Sequence, residues 1–170
     1  MSLANPVPAA EIFKAYDIRG VYPSQINEQG AGAIALALGN YLKKRSHKKR
    51  LKLLIARDVR KSSPSLVHYV REGIMNAGCD VVDAGIITTP MIYFLMGKLA
   101  VDGGIMVTAS HNPAEYNGLK IFGAKLAAIG EGTGMEEVKA LAAVTLNVST
   151  FVPPCNVPKP VMSSVAAPSV

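Results

Sequence analysis

The residues best equipped for chemistry fall in one loop, Thr108-Ala109-Ser110-His111-Asn112-Pro113-Ala114-Glu115-Tyr116-Asn117-Gly118-Leu119-Lys120. A hydroxyl, an imidazole, two side-chain amides, a carboxylate and an ammonium stand close together there. A serine oxygen is a weak nucleophile unless a neighbour activates it or it arrives already phosphorylated. Asn112-Pro113 and Asn117-Gly118 are turn-forming pairs. A plain hairpin connection accounts for the Ser, Asn and Gly, but it needs neither Ser110-His111 nor the later Lys120. The loop is therefore predicted to carry the site, with Ser110 as its oxygen nucleophile.

The flanking elements must hold that loop. Gly103–Val107 is an apolar, β-branched run that reads as a buried strand. Leu119–Phe122 reads as another, too close in sequence for a parallel crossover, so it is expected to pair antiparallel. A loop leaving the carboxyl end of an inner strand is where open α/β sheets place their ligand chemistry. Upstream, helical spacing over residues 27–45 (Ala31, Ile34, Ala35, Leu38, Leu42) is followed by a strand over 51–56. Ser63-Pro64 reads as a capped helix start, with Leu66, Val67, Val70, Ile74 and Ala77 facing inward and Gly78 as the stop. Residues 79–84 read as a strand. Thr89-Pro90 repeats the cap-plus-proline device, with Ile92, Leu95, Met96 and Leu99 as a core stripe.

Alternating strands and helices of this kind predict an α/β fold: a three-layer α/β/α arrangement whose sheet is mixed and mostly parallel, with four strands and one of them antiparallel. Thr133-Gly134-Met135-Glu136 is a capping-box pattern opening a last helix, with Met135, Val138, Leu141 and Ala142 inward. The glycines at 130, 132 and 134 lack the strand-then-helix context of a nucleotide loop and read as a turn.

Length and composition bound the rest. With 170 residues, 49% hydrophobic and 18% charged, the chain is expected to be globular with one sizeable core. Residues 1–10 read as a flexible lead-in and 11–143 as the domain. Residues 144–170, proline-rich with one charge, read as a linker or disordered tail, with 144–152 as a possible edge strand. No apolar run reaches membrane-spanning length and no secretory leader is recognised. Cys79 and Cys155 are far apart, which fits free thiols in a reducing cytoplasm, the expected location. Much of the net charge of +6 sits in Lys43-Lys44-Arg45-Ser46-His47-Lys48-Lys49-Arg50. A solvated helix end explains this run better than a nucleic-acid patch, because no aromatics are interleaved for base stacking. His68 has no second ligand one turn away and reads as a packing or surface residue.

Two further stretches carry polar groups in order. Phe13-Lys14-Ala15-Tyr16-Asp17-Ile18-Arg19-Gly20 presents Tyr16, Asp17 and Arg19, and Arg19 before a glycine offers a guanidinium fork suited to phosphate. An Asp17–Arg19 pairing that merely stiffens a turn is the other reading. Ile55-Ala56-Arg57-Asp58-Val59-Arg60-Lys61-Ser62-Ser63 holds a charge cluster, read as structural and placed behind the site.

Thr108-Ala109-Ser110-His111-Asn112-Pro113 with Tyr116-Asn117-Gly118-Leu119-Lys120 resembles the phosphoserine loop of the α-D-phosphohexomutases, the phosphomannomutase/phosphoglucomutase superfamily. The two other stretches resemble that family's N-terminal signature and its first strand-to-helix turn, and the likeness spans residues 11 to 143. It implies the same α/β architecture. It also implies an isomerase that moves phosphate between hexose 1-phosphate and hexose 6-phosphate through a bisphosphorylated sugar. Ser110 would carry the phosphoryl group and bind Mg²⁺ through it. Lys120 would neutralise charge or shuttle a proton, His111 would be the alternative proton carrier, Arg19 would bind the moving phosphoryl group, and Tyr16 would line the substrate. Asn112 and Asn117 would orient the loop.

Full-length members of that family have four domains. The resemblance implies that the metal's aspartate cluster, the sugar reader and the phosphate clamp lie in C-terminal domains whose motifs this sequence lacks. The chain thus reads as an N-terminal domain of little activity alone, truncated, frame-shifted or excised. The partners expected are a hexose phosphate and those C-terminal domains, with no nucleic acid and no membrane. The competing reading is a non-enzymatic phosphoacceptor or partner-binding module on the same fold. A serine hydrolase fits poorly, since Ala109-Ser110-His111 is not a nucleophile elbow.

Overall fold

The computed structural model describes residues 10–148. In chain order it contains β1 (Ile18–Val21), α1 (Glu28–Arg45), β2 (Lys52–Arg57), α2 (Ser63–Asn76), β3 (Asp80–Ile86), α3 (Thr89–Leu99), β4 (Gly103–Val107), β5 (Tyr116–Phe122) and α4 (Met135–Val148), with short 3-10 turns at Ala10–Ile12 and Ala124–Leu126.

The strands form one five-stranded sheet in the order β1-β5-β4-β2-β3. β2 pairs parallel with β3 and β4, whereas β5 pairs antiparallel with β4 and β1. The four-stranded, mostly parallel expectation is therefore corrected: there are five strands, and the sheet is evenly mixed. The strand missed is β1. Ile18-Arg19-Gly20-Val21 is too short for an alternation to register and has a glycine inside, and it is a strand because β5 offers it an edge. The antiparallel return of β5 is as expected, but Asn117-Gly118 is not a turn. These two residues pair with Gly20 and Arg19 in the ladder. Glycine is needed at 118 because a Cβ there would collide with the Ile18 carbonyl oxygen.

Alternation sorts the sheet's two faces. Ile18, Leu53, Ile55, Ile105, Val107, Leu119 and Ile121 share one core with α1, α2 and α4. Leu54, Ala56, Met106 and Phe122 pack on the other side with Ile92 and Met96 of α3. This is the three-layer arrangement anticipated. α1 starts on Asn27, whose side chain accepts from the Gly30 amide at 2.9 Å, and its predicted stripe is buried throughout. Gly73 lets α2 press against α1, since a Cβ there would meet the Gly32 carbonyl oxygen.

Several local readings change. The cap position of α2 is Ser62, not Ser63, and its side chain makes no capping bond. Ser63 is inside the first turn, fully buried, with its hydroxyl on Asp58. The cap position of α3 is Thr88, again without a side-chain bond. Leu99 and Leu141 are 41% and 39% exposed rather than core. Thr133 and Glu136 do not form a reciprocal box: they accept from the Gly130 and Gly132 amides and brace the preceding turn instead. Helix α4 runs to Val148, so residues 144–148 are helical where an edge strand or tail was expected. The lead-in over 1–9, the rest of the tail and Cys155 lie outside the described residues.

The basic run is tied down at the amino end of the parallel strands. Lys43 donates to the Ala77 carbonyl at 2.9 Å, and Lys48 and Arg50 pair with Asp102 and Asp80 at 2.6 and 2.7 Å. That is the sheet edge opposite the one where β4 delivers Ser110. Among the described residues no helix is long and apolar enough to cross a membrane.

Candidate active site

Three chain segments meet at the carboxyl end of the parallel strands. β2 sends the chain towards β3 on one side, while β4 returns on its other side, so the strand order switches between β2 and β4. This is the crevice where open α/β sheets bind ligands. The loop after β4 carries Ser110 and the turn after β2 carries Asp58 and Arg60. The two are joined where the Asp58 amide donates to the Val107 carbonyl at 3.0 Å.

Ser110 is exposed and adopts φ 55°, the left-handed region that a non-glycine residue enters only at a cost of about 1–2 kcal/mol. Three bonds hold the backbone there. The Ser110 amide donates to the Thr108 hydroxyl at 2.9 Å, the Asn112 side-chain amide donates to the Ala109 carbonyl at 2.7 Å, and the Ser110 carbonyl accepts from Arg60 at 3.0 Å. The strained turn carries the hydroxyl out to solvent, where His111 Nδ1 lies 3.0 Å from Ser110 Oγ. With its proton on Nε2, the imidazole can accept the serine proton through Nδ1. Of the sequence candidates, Ser110 and His111 are thus in direct contact.

Arg19 and Lys120 are brought together by one carboxylate. Asp17 accepts from Arg19 Nε at 2.9 Å and from Lys120 Nζ at 3.4 Å. Arg19 alternates with Ile18, and Lys120 alternates with Leu119 and Ile121, so both cations project from the α3 side of the sheet, at β1 and β5. The Asp17–Arg19 pairing anticipated as a turn brace exists, but it also gathers Lys120. An open cleft of about 430 Å³ lies beside Arg19, lined by Glu11, Ile12, Lys14, Arg19, Gln25, Asn112 and Tyr116 but not by Lys120, so Arg19 and the Ser110 loop border the same space. Tyr16 is 80% exposed, immediately before Asp17, and is not among the residues lining that cleft.

Asp58 and Arg60 form the structural charge cluster anticipated behind the site, but sequence reasoning missed that this turn grips the Ser110 loop. The Arg60 guanidinium donates to the carbonyls of Ser110, Asn112, Pro113 and Tyr116 at 3.0, 2.6, 2.6 and 3.0 Å, and to Asp58 at 3.2 Å. The cluster lies under the loop and grips it. No spacing rule reveals this, because the partners are 50 to 56 residues away in sequence. Asn117 was expected to orient the loop. It is fully buried, and its amide donates to the Ser62 and Ser63 hydroxyls at 2.7 and 3.0 Å, anchoring β5 to the start of α2. A third tie is Glu28, which accepts from the Tyr22 and Ser65 hydroxyls at 2.5 Å each. Burial pushes the Glu28 carboxyl up, but the Ser65 and Tyr22 bonds outweigh it and the net shift is downward. Tyr22 is pushed up to about 12, first by its bond to Glu28, then by burial and the carboxylate's charge. Tyr22 also donates its amide to the Glu115 carbonyl at 2.8 Å, linking this tie to the loop.

Among the described residues no group of three acidic, histidine or cysteine side chains could hold a metal ion. Ser110 offers a single oxygen, so these residues do not by themselves complete the Mg²⁺ site that the resemblance implies.

Comparison with known proteins gives the family of this fold. The family model described as phosphoglucomutase/phosphomannomutase, alpha/beta/alpha domain I, matches residues 10–145. A phosphomannomutase of Escherichia coli is 44% identical over 130 residues, covering 76% of this chain and 27% of that protein. A phosphomannomutase of Klebsiella pneumoniae is also 44% identical over 130 residues, covering 76% of this chain and 79% of that protein. Among solved structures, a phosphoglucomutase/phosphomannomutase family protein from Burkholderia thailandensis superposes with a TM-score of 0.71 at 35% identity, over 81% of this chain and 31% of that one. The chain thus spans about a quarter of the length of the E. coli relative. With a match running from the 3-10 turn before β1 into α4, the chain belongs to the phosphoglucomutase/phosphomannomutase α/β/α domain I family.

Proposed function

We propose that the chain is the phosphoryl-carrying domain of a phosphohexomutase, with Ser110 as the group that holds the phosphate. The observation that carries this reading is the exposed Ser110 hydroxyl, raised on a left-handed turn with His111 Nδ1 at 3.0 Å, while Arg19 lines the same cleft as Asn112 of the Ser110 loop. Phosphoryl transfer asks for in-line positioning and charge neutralisation more than for covalent chemistry by the protein. In the transfer to a sugar hydroxyl, the bond from phosphorus to Ser110 Oγ breaks and a bond to the sugar oxygen forms. The sugar's proton ends on the serine oxygen, carried by His111. Arg19 and Lys120 offset the charge of the moving group, and Tyr16 and the Arg19 cleft meet the sugar phosphate. The return of the sugar's other phosphate to Ser110 reverses the same bonds and completes the exchange between hexose 1-phosphate and hexose 6-phosphate.

Turnover by these 170 residues alone is expected to be very low, because substrate positioning supplies a large share of the rate and the match covers only about a quarter of the E. coli relative. Supplied together with the remaining three-quarters of that relative, the chain should convert hexose 1-phosphate to hexose 6-phosphate in a coupled assay, whereas neither part does so alone. A mixture in which Ser110→Ala is as active as the unaltered chain would refute the assignment. The cytoplasmic location and the roles of Tyr16, Arg19, His111 and Lys120 belong to this same proposal.

A further inference from the structure

We propose that Arg60 is the positioning residue for the Ser110 nucleophile, and that a lysine cannot take its place. The proposal rests on the phosphoserine reading above. An arginine has five N–H donors in a rigid fork, and all five of Arg60 are committed. Nε faces Asp58, Nη1 serves the Pro113 and Tyr116 carbonyls, and Nη2 serves the Ser110 and Asn112 carbonyls. Four carbonyl dipoles aimed at one point repel one another unless a cation sits among them. A lysine brings the charge but only three donors, so it leaves carbonyls without a partner.

The geometric consequence runs through the peptide plane. Holding the Ser110 carbonyl fixes the plane of the Ser110–His111 peptide, because that unit is flat and trans. It thereby sets ψ of Ser110 and turns the His111 amide away from the guanidinium. Ser110 at φ 55° would relax to an ordinary backbone region if this grip were lost, and its Oγ and the His111 ring would move together. The grip is itself anchored: Asp58 Oδ1 accepts from the Arg60 amide at 3.0 Å and from the buried Ser63 hydroxyl at 2.6 Å, which ties the guanidinium to the first turn of α2. With every donor used on the loop and Asp58, Arg60 has none left for a phosphate. It acts on the nucleophile's position and not on the substrate's affinity.

The test uses the full chain as wild type, Arg60→Lys and Arg60→Ala, each incubated with a hexose 1,6-bisphosphate while phosphate on Ser110 is followed by mass spectrometry. The expected result is a rate of Ser110 phosphorylation lower by about a hundredfold in both variants, with the half-saturating bisphosphate concentration unchanged. Added guanidinium ion should restore part of the rate to Arg60→Ala and none to Arg60→Lys. Amide hydrogen exchange should speed up over residues 110–118 in Arg60→Lys and stay constant in β2 and β4, which also shows that the variant is folded. The proposal is overturned if Arg60→Lys is phosphorylated at the wild-type rate, if only the half-saturating concentration rises, or if exchange in the loop does not change. Should the wild-type chain take up no phosphate, the phosphoserine reading fails on its own. The exchange measurement then still decides whether Arg60 sets the loop.

Discussion

Lys120 Nζ lies 3.4 Å from one oxygen of Asp17, and the other oxygen of the same carboxylate receives Arg19 Nε at 2.9 Å. One buried acid therefore sets the spacing of two cations that come from different strands. Because the cations themselves are partly solvent-exposed, these pairs contribute little to stability, about 1 kcal/mol or less. Their value is geometric. Asp17→Asn should leave the denaturant midpoint nearly unchanged and slow phosphate transfer onto Ser110 by about tenfold or more, since misplaced charge costs rate before it costs fold. Stopped-time phosphorylation assays alongside urea melts check both halves of that expectation.

The Tyr22–Glu28–Ser65 tie predicts a pH dependence with two limbs. The Glu28 carboxyl is lowered in the folded protein, so its contribution is present above the ordinary carboxylate range and is lost as pH falls through the folded value. Tyr22 is raised from 10.0 to about 12, so its contribution is complete below 10.0 and is lost as pH rises towards 12. Tyr22→Phe should remove the late-titrating phenolate absorbance and flatten the loss of stability across that alkaline window. A variant that titrates like wild type would show that Tyr22 is not held by Glu28.

Asn117 is fully buried, and its side chain serves three groups: it donates to the Ser62 and Ser63 hydroxyls and accepts from the Gly118 amide at 2.8 Å. Asn117→Ala takes this acceptor from the buried Gly118 amide and this donor from the buried Ser63 hydroxyl, at a cost of about 1–3 kcal/mol. A lower urea midpoint with an unchanged slope is the expected reading.

Gly73 allows the closest approach of α1 and α2. In Gly73→Ala the new methyl group meets the Gly32 carbonyl oxygen, which is backbone and cannot turn aside. The two helices must separate, and overpacking of this kind costs about 1–3 kcal/mol. Thermal unfolding of the variant checks it. The same change at Gly97, which has open space around it, should be well tolerated.

The legible parts of the fold were those written in long periods. The buried stripe of α1, the inward face of α2 and the apolar run of β4 need only the chain's own alternation, and the sequence shows it. β1 does not: four residues containing an arginine and a glycine become a strand only because β5 presents an edge to them. Asn117-Gly118 looked like a turn for the complementary reason, since its amide is satisfied by hydroxyls more than fifty positions away, at Ser62 and Ser63. The contact between Ser110 and His111 was legible because the two residues are adjacent in the chain. Arg60 was not, because its role consists entirely of bonds made across the fold to backbone carbonyls, which carry no side-chain signature. Leu141 looked inward by spacing, but the inward line of α4 runs through Val138, Ala142 and Leu146.

The account stands on Ser110 as the phosphate carrier, and peptide-level mass spectrometry after exposure to a hexose 1,6-bisphosphate tests that most directly. One phosphoryl group on Ser110, absent in Ser110→Ala, is the predicted result. A wild-type chain that stays unmodified at Ser110, or one that takes the phosphate elsewhere and keeps it in Ser110→Ala, would contradict the account.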